Sequence, residues 1–312
     1  MGDIVGYSTD HEFKVVRRLG DDGGAMNQGI AIVMRLCDRR ILVRKTFRET
    51  GNLDSSPKDW LREMKLLQRV NHPNICAFAE ASVTNSVGRL YMEFCDLGNL
   101  EDFKENMNRL RKPVPEDFAW HVLKSLTKAL CYIHWGLRDT RDFLSSRPQI
   151  RPGWECILHR DIKSNNVFIK PRGGPQPYPE IKLGDFGLAI GSTELAAQTA
   201  RNGHGIPVCR LGAGAWLAPE FPQCGERTDV FSVGAVIQHI CKCTPWNKVN
   251  PEGGIAQGYS STLDKIVIRA MARDREQRPF CAQLARMAYS GFERVNPPYT
   301  RVPSQAYGRL LE

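Results

Sequence analysis

The sequence lacks several features that would assign it to a class at once. It has no apolar run of the roughly 20 residues that a membrane span needs; stretches such as Phe231–Ile240 fall well short. It contains no block of five like charges, and its 10 cysteines include no CxxC pair. These absences argue against a membrane span, a polybasic nucleic-acid segment and the usual zinc motifs. The first residues do not resemble a signal peptide, and Gly6 argues against myristoylation.

What remains is an ordinary globular composition. The chain has 312 residues, of which 42% are hydrophobic and 25% charged, which excludes disordered, collagenous and coiled-coil proteins. The length predicts two domains or one two-lobed domain. A net charge of +9 is compatible with binding to nucleic acid, to a membrane surface or to a polyanionic small ligand. It is equally compatible with a charge that serves solubility alone. The scattered cysteines indicate reduced thiols, so we expect an intracellular protein, cytoplasmic or nuclear.

Hydrophobic periodicity predicts strands first and helices afterwards. Residues 11–50 are rich in β-branched side chains, a helix follows in which Trp60 and Met64 recur at helical spacing, and two short strands end near residue 94. Beyond the Gly98 turn the pattern is helical, and Val230–Ile240 is apolar on all sides, which predicts a buried helix.

These patterns define the expected domains. We predict an N-terminal extension over residues 1–12, a strand-rich lobe over 13–94 and a helical lobe over 95–290. Residues 136–157 lack periodicity and indicate a surface insertion, while 291–312 indicate a polar tail.

Two acidic motifs carry the chemistry. The first is His159-Arg160-Asp161-Ile162-Lys163-Ser164-Asn165-Asn166, and the second is Asp185-Phe186-Gly187. Phosphoryl transfer needs divalent metal held by hard oxygen ligands from separate segments. The Asp185 carboxylate and the Asn166 amide oxygen suit that task, while Asp161 can orient a hydroxyl and accept its proton.

These motifs resemble those of the eukaryotic protein kinases. The resemblance covers roughly residues 13–285 and includes, in the expected order, Lys45, Glu63, the segment LYMEF at 90–94, Ala218-Pro219-Glu220, Asp229 and Arg278. It implies an α+β bilobal fold, with a small antiparallel β-sheet lobe containing one helix and a larger, mostly α-helical lobe. It also implies ATP bound between the lobes, Mg²⁺, and a protein substrate with a Ser or Thr acceptor.

The resemblance implies a role for each matching residue. Asp161 would be the catalytic base and Lys163 would stabilise the transferring phosphoryl group, while Asn166 and Asp185 would hold Mg²⁺. The implied ATP-binding residues are Gly20, Gly24, Gly29, Ala31, Lys45, Glu63, Glu93, Cys95 and Phe168. Glu63 would hold Lys45 by an ion pair, and Glu93 and Cys95 would bond adenine through their backbones. Asp229, Glu220 and Arg278 would be structural.

The substrate class follows from the same resemblance. A lysine two residues after the catalytic aspartate, here Lys163, is similar to the serine/threonine branch, and Leu188 after the DFG glycine resembles serine-preferring members. The segments NNVFI and IKLGDFGLA resemble the NIMA-related mitotic kinases.

Three departures keep an alternative open. The glycine-rich loop has irregular spacing and carries Asp21 and Asp22, and Ala213 stands where serine/threonine kinases usually have threonine. Both favour a pseudokinase scaffold, whereas the presence of every metal and base position favours an enzyme. The insertion at 136–157 is either a recognition surface or a tolerated loop. A small-molecule kinase is the third possible function, after the protein kinase and the scaffold, and Glu220 and Arg278 argue against it.

Overall fold

The computed structural model describes residues 12–19, 29–48, 57–84, 87–173, 178–202, 216–242, 250, 253–308 and 310–311. The chain divides into two compact units, Met1–Phe94 and Cys95–Glu312, called here the N-terminal and C-terminal units. Gly20, Gly24, Asp21, Asp22 and Ala213 lie outside the described residues.

The N-terminal unit contains an antiparallel sheet and one helix. The strands are β1 (Phe13–Arg18), β2 (Ile30–Arg35), β3 (Ile41–Arg48), β4 (Phe78–Thr84) and β5 (Val87–Glu93), and their order is β1-β2-β3-β5-β4. Helix α1 (Pro57–Arg69) packs against β4 and β5. Trp60 stacks on Phe47 with ring centroids 6.0 Å apart, and Gly88 leaves space for that indole, because a Cβ there would lie 2.8 Å from it.

Helices form most of the C-terminal unit. They are α2 (Leu100–Arg109), α3 (Glu116–Trp135), α4 (Thr140–Leu144), α5 (Ser192–Asn202), α6 (Glu226–Cys241), α7 (Ser261–Ala270) and α8 (Cys281–Val295). Helix α3 packs against α6 and α8. The predicted burial of α6 is confirmed, because Val230, Val233 and Val236 are fully buried. Among the described residues, no helix combines the length and apolarity that crossing a bilayer requires.

Two short antiparallel ribbons hold the loops that carry the acidic motifs. Strand β6 (Ile157–Leu158) pairs with β9 (Ile190–Gly191), and β7 (Val167–Lys170) pairs with β8 (Glu180–Leu183). The first motif occupies the connection from β6 to β7, and Asp185 lies between β8 and β9. The sheet, its helix and the helical unit agree with the predicted α+β kinase fold.

The segment predicted as a surface insertion has more structure than its sequence indicated. It contains α4, whose Phe143 is fully buried and lies 6.1 Å from the ring of Tyr289 on α8. Trp154 packs on Tyr132 of α3 and donates to the Ile133 carbonyl at 3.1 Å. A few large aromatic residues anchor this segment without helical periodicity, which explains why pattern analysis missed it.

The residues predicted as a polar tail also pack against the C-terminal unit. Helix α8 continues to Val295, and beyond it Val302 and Ala306 are buried. The Thr300 backbone N–H donates to Asp117 Oδ2 at 2.9 Å, and the Thr300 carbonyl accepts from the Tyr178 hydroxyl at 2.9 Å. Apolar contacts and hydrogen bonds therefore hold a segment whose composition is mainly polar.

Two glycines of the 136–157 segment allow a matched stability test. Gly136 ends α3 with φ 71°, and a Cβ there would lie 2.7 Å from the Trp154 ring; Gly153 has φ 73° and no atom within 4 Å of such a Cβ. Gly153→Ala should cost only backbone strain, about 1–2 kcal/mol. Gly136→Ala should cost about 1–3 kcal/mol more, because the methyl group also overpacks the indole. Urea unfolding measures both values, and equal losses would contradict the packing of Trp154 on Gly136.

Candidate functional site

A buried ion pair lies in the N-terminal unit. Lys45 Nζ is 3.0 Å from both carboxylate oxygens of Glu63, and both side chains are buried. Strand β3, hydrogen-bonded on both sides to β2 and β5, holds Lys45, while α1 presents Glu63. A buried ammonium group needs a partner, and Glu63 provides it and fixes the position of Lys45 Nζ.

The first acidic motif gathers two polar side chains around the carboxylate of Asp161. Lys163 Nζ lies 2.9 Å from Asp161 Oδ2 and 3.2 Å from Oδ1. Asn166 Nδ2 donates to Asp161 Oδ2 at 2.9 Å and to the Asp161 carbonyl at 2.8 Å. The Asp161 carboxylate is therefore fixed by a cation and an amide. Since the amide nitrogen of Asn166 faces Asp161, its amide oxygen is the atom that can bind a metal.

A second carboxylate, Asp229 of α6, supports the backbone of this loop. Its oxygens accept the His159 N–H at 2.8 Å and the Arg160 N–H at 2.9 Å, and the His134 ring donates to it at 2.9 Å. Burial alone would raise the pKa of the Asp229 carboxyl, but the hydrogen bonds from His134 and His159 outweigh it and lower the pKa. Burial would lower the pKa of His134, but its hydrogen bond to Asp229 and its interaction with the neighbouring Cys281 raise it to about 10.

Strained backbone marks both motifs. Arg160 has φ 65° and Asp185 has φ 56°, and non-glycine residues occupy this left-handed region only where surrounding contacts impose it. At Arg160 the constraint comes from Asp229 and from the guanidinium Nε, which donates to the Leu188 carbonyl at 2.7 Å. At Asp185 a carboxylate oxygen accepts the Gly187 N–H at 3.3 Å.

The two motifs are joined to each other through backbone and ring contacts. The Gly184 N–H donates to the Asn166 carbonyl at 2.9 Å. The His159 ring, whose pKa burial lowers, contacts the Gly184 carbonyl at 3.0 Å and lies edge-on to Phe186 at 4.8 Å. Asn166 and Asp185 therefore come from adjacent stretches of backbone. Their amide oxygen and carboxylate are hard donors that fit Mg²⁺.

The predicted structural pair occurs as a bidentate contact. Arg278 Nη1 and Nη2 lie 2.7 and 2.8 Å from the two Glu220 oxygens, and Arg278 is only 1% exposed. Burial alone would raise the pKa of Glu220, but the hydrogen bonds from Arg278 outweigh it and lower the pKa. The pair joins the segment before α6 to the segment before α8.

The other predicted ATP-binding residues fall in both units. Gly29 has φ 120° and precedes β2, where Ala31 is buried. Glu93 ends β5, and its N–H already donates to the Ala77 carbonyl at 2.9 Å. Cys95, at the start of the C-terminal unit, is buried, and Phe168 lies on β7 opposite Asn99. Gly20 and Gly24 cannot be placed, because they lie outside the described residues.

Sequence analysis missed the contribution of His134. This histidine is fully buried within α3, 95 residues before its partner Asp229. Its helical position gave only the signal of a polar residue on an otherwise apolar face. The contact depends on how α3 crosses α6, and sequence spacing does not define that crossing.

Comparisons with known proteins point to one family. A profile described as "Protein kinase domain" matches residues 23–290. The chain is 26% identical to the G2-specific protein kinase nimA of Emericella nidulans, over 81% of this chain and 38% of nimA. It is 26% identical to the serine/threonine-protein kinase Nek2 of Mus musculus, over 79% of this chain and 53% of Nek2. The predicted resemblance to NIMA-related kinases is confirmed as a distant one. The chain spans about half or less of the length of these relatives.

The bidentate pair generates a prediction with a defined pH dependence. At neutral pH, Glu220→Gln should destabilise the protein by about 3–5 kcal/mol, because it leaves the buried Arg278 charge unpaired. The lowered pKa of Glu220 means that the pair contributes fully above the unfolded value of 4.5 and is lost as pH falls through the folded pKa. The difference between wild type and variant should therefore shrink below about pH 4.

The matched control is Glu276→Gln. Glu276 also pairs with arginines, but its side chain is 66% exposed, so its loss should cost under about 1 kcal/mol. Urea unfolding across pH gives both values. A Glu220→Gln cost as small as that of the control, or one independent of pH, would show that the pair does not stabilise the fold.

Proposed function

This chain belongs to the protein kinase family, and from that premise we propose that it transfers the γ-phosphoryl group of ATP to serine and threonine hydroxyls of proteins. The observation that carries the proposal is the arrangement of Lys163 and Asn166 around the carboxylate of Asp161. This arrangement places a proton acceptor, a cation and a metal-ligand oxygen within one short loop.

Asp161 would receive the substrate hydroxyl. Its carboxylate, held by Lys163 and Asn166, would accept a hydrogen bond from the incoming hydroxyl, orient it toward phosphorus and take its proton. Lys163 Nζ, only 2.9 Å away, would stabilise the charge that develops on the transferring group. A small cavity, lined also by Trp216, Phe221 and Thr228, lies beside Asp161.

The remaining predicted residues would bind nucleotide and metal. Bound Mg²⁺ would neutralise negative charge on the phosphates of ATP. Asp185 and Asn166 would hold that ion through a carboxylate and an amide oxygen. Lys45, kept in position by Glu63 at 3.0 Å, would bind the α- and β-phosphates. The backbones of Glu93 and Cys95 would bond adenine, with the Glu93 carbonyl as acceptor because its N–H is engaged by Ala77.

Two observations support a hydroxyl of serine or threonine as the acceptor. Lys163 follows Asp161 by two residues, as in the serine/threonine branch that the chain resembles. The relatives described above carry names of that branch, among them serine/threonine-protein kinase Nek2. We propose protein substrates for the same reason.

The alternative is a scaffold without phosphoryl transfer. The irregular glycine loop with Asp21 and Asp22, and Ala213 in place of threonine, favour it. The intact cluster around Asp161 and the Lys45–Glu63 pair favour the enzyme, because a scaffold has no need of charged groups held in fixed positions for phosphoryl transfer.

Transfer of radiolabelled phosphate to a generic protein substrate separates these two functions. Asp161→Asn should lower turnover about 10²–10⁴-fold, because it removes the base. Asp185→Asn should be at least as severe, because it removes a metal ligand. Asp142→Asn is the matched control: this aspartate on α4 is exposed, and its loss should leave the rate unchanged. A wild-type rate in either site variant would make the role assigned to that residue wrong.

Nucleotide binding is tested separately from turnover. Mg·ATP should raise the melting temperature of the wild type, since a ligand at about 100 times its Kd stabilises by about 2.7 kcal/mol. Lys45→Met should abolish turnover and reduce this shift. The absence of any shift at millimolar Mg·ATP, together with no phosphate transfer, would establish the scaffold.

Regulation by phosphorylation is not expected. Arg160 uses its Nε to hold the Leu188 carbonyl, and the Thr199 hydroxyl donates to the Leu195 carbonyl within α5 at 2.9 Å. Residues 206–210, where a regulatory hydroxyl would stand, contain none and lie outside the described residues. We therefore expect full activity from unphosphorylated protein.

The initial rate of phosphatase-treated protein checks this expectation. Mass spectrometry first verifies that residues 188–217 are unmodified, and Thr199→Ala is assayed beside Thr193→Ala as the control. Both variants should keep the wild-type rate. A fall of about tenfold, or about 1.4 kcal/mol in the barrier, on dephosphorylation and in Thr199→Ala alone would identify Thr199 as a switch.

A further inference from the structure

Three metal-ligand side chains meet where three helices of the C-terminal unit come together. His134 lies near the end of α3, Glu226 is the first residue of α6, and Cys281 is the first residue of α8. One ligand atom from each lies within 4.8 Å of the other two. His134 and Cys281 are fully buried, and the Glu226 side chain is 23% exposed. None of the three has a role in the proposed phosphoryl transfer.

The His134 ring points to a ligand at this place. Its Nε2 is bonded to Asp229 Oδ2 at 2.9 Å, but its buried Nδ1 has no hydrogen-bond partner among the described residues. Nδ1 is the atom directed at Cys281 and Glu226, whose Oε2 lies 3.9 Å away. Apart from this ion pair with Glu226, the buried ring nitrogen makes no hydrogen bond within the described part of the chain. Such a lack costs a buried group about 1–3 kcal/mol, and a metal ion would satisfy it.

We propose that His134, Glu226 and Cys281 bind a zinc ion. Imidazole nitrogen, thiolate sulfur and carboxylate oxygen together form a borderline-soft donor set that suits Zn²⁺ and disfavours Mg²⁺ or Ca²⁺. Tetrahedral zinc with bonds of about 2.0–2.3 Å places its ligand atoms about 3.3–3.8 Å apart. The separations, none above 4.8 Å, need to shrink by about 1.5 Å at most to meet that geometry.

The surrounding contacts resemble the support that zinc ligands receive in proteins. Asp229 fixes the His134 ring through Nε2, and a ligating histidine commonly donates its other N–H to a carboxylate. The Trp135 indole N–H donates to Glu226 Oε2 at 2.7 Å. Cys281 begins α8; burial raises the pKa of its thiol, and a bound metal ion would stabilise the thiolate form. The partly exposed Glu226 gives the ion a route from solvent, and a water molecule would complete the coordination.

Zinc would join α3, α6 and α8 through one ion. It would replace the proton on His134 Nδ1 and the thiol proton of Cys281, leaving the bond from His134 to Asp229 in place. Because Asp229 also holds the His159–Arg160 backbone, the ion would stabilise the helices that support the Asp161 loop without touching that loop.

The test measures metal rather than activity. The purified full chain is loaded with Zn²⁺, dialysed against a weak chelator and analysed by plasma mass spectrometry; a second sample is loaded with Co²⁺ and its absorption spectrum recorded. We expect about one zinc ion per chain and a near-ultraviolet thiolate-to-cobalt charge-transfer band. Cys281→Ser should lose the band and keep less than about a tenth of the zinc.

Two control variants locate the ion. Cys241→Ser changes another buried thiol in α6, and Asp185→Asn removes the proposed Mg²⁺ ligand; both should keep the zinc and the band. Trp135→Phe leaves all three ligands intact but removes the support of Glu226, and should weaken zinc binding about 10–100-fold.

Each outcome decides the proposal. Wild-type protein that retains no zinc and shows no charge-transfer band overturns it, as does Cys281→Ser that retains both. If Cys281→Ser fails to fold, Trp135→Phe decides: unchanged zinc affinity overturns the site, and a loss within the expected range supports it. Zinc lost in Asp185→Asn instead would assign the ion to the DFG motif and overturn the proposal.

Discussion

The carboxylate of Asp229 is the contact on which the C-terminal unit's candidate site depends. It is buried in α6 and receives hydrogen bonds from two successive backbone N–H groups and from one imidazole. Its pKa is lowered despite burial, because these donors favour the charged form. A single charge thereby fixes the direction of the chain at His159 and Arg160, and the position of Asp161 follows from it.

The contacts around the Asp161 loop also account for the strained backbone at Arg160 and Asp185. A left-handed conformation costs a non-glycine residue about 1–2 kcal/mol, and Arg160 adopts it while Asp229 binds its N–H on one side and Leu188 accepts its guanidinium on the other. Asp185 is strained in the same way, between the ribbon strand β8 and the Gly187 N–H. Rigid support on both sides of each motif keeps these side chains in place before any ligand arrives.

The sequence predicted the parts whose signal is local, and missed those created by tertiary packing. The burial of α6 could be predicted because its residues are apolar on all sides, and motif spacing singled out Asp161 and Asp185. His134, Phe143 and the contacts of Thr300 were not predicted, because each depends on an element far away in the chain. One buried aromatic residue or one polar residue in an apolar helix carries no periodic signal.

His134 lies between Asp229, which supports the Asp161 loop, and the place where α3, α6 and α8 meet. One ring nitrogen bonds Asp229, and the other faces Glu226 and Cys281. Whatever cation occupies that second nitrogen changes how strongly the ring donates to Asp229, because the two nitrogens share one π system. Asp229 divides its charge between this ring and the His159–Arg160 backbone. The place where the three helices meet and the Asp161 loop are therefore joined through the carboxylate of Asp229. The strength of its hydrogen bond from His134 affects the strength of its hydrogen bonds from the His159 and Arg160 N–H groups.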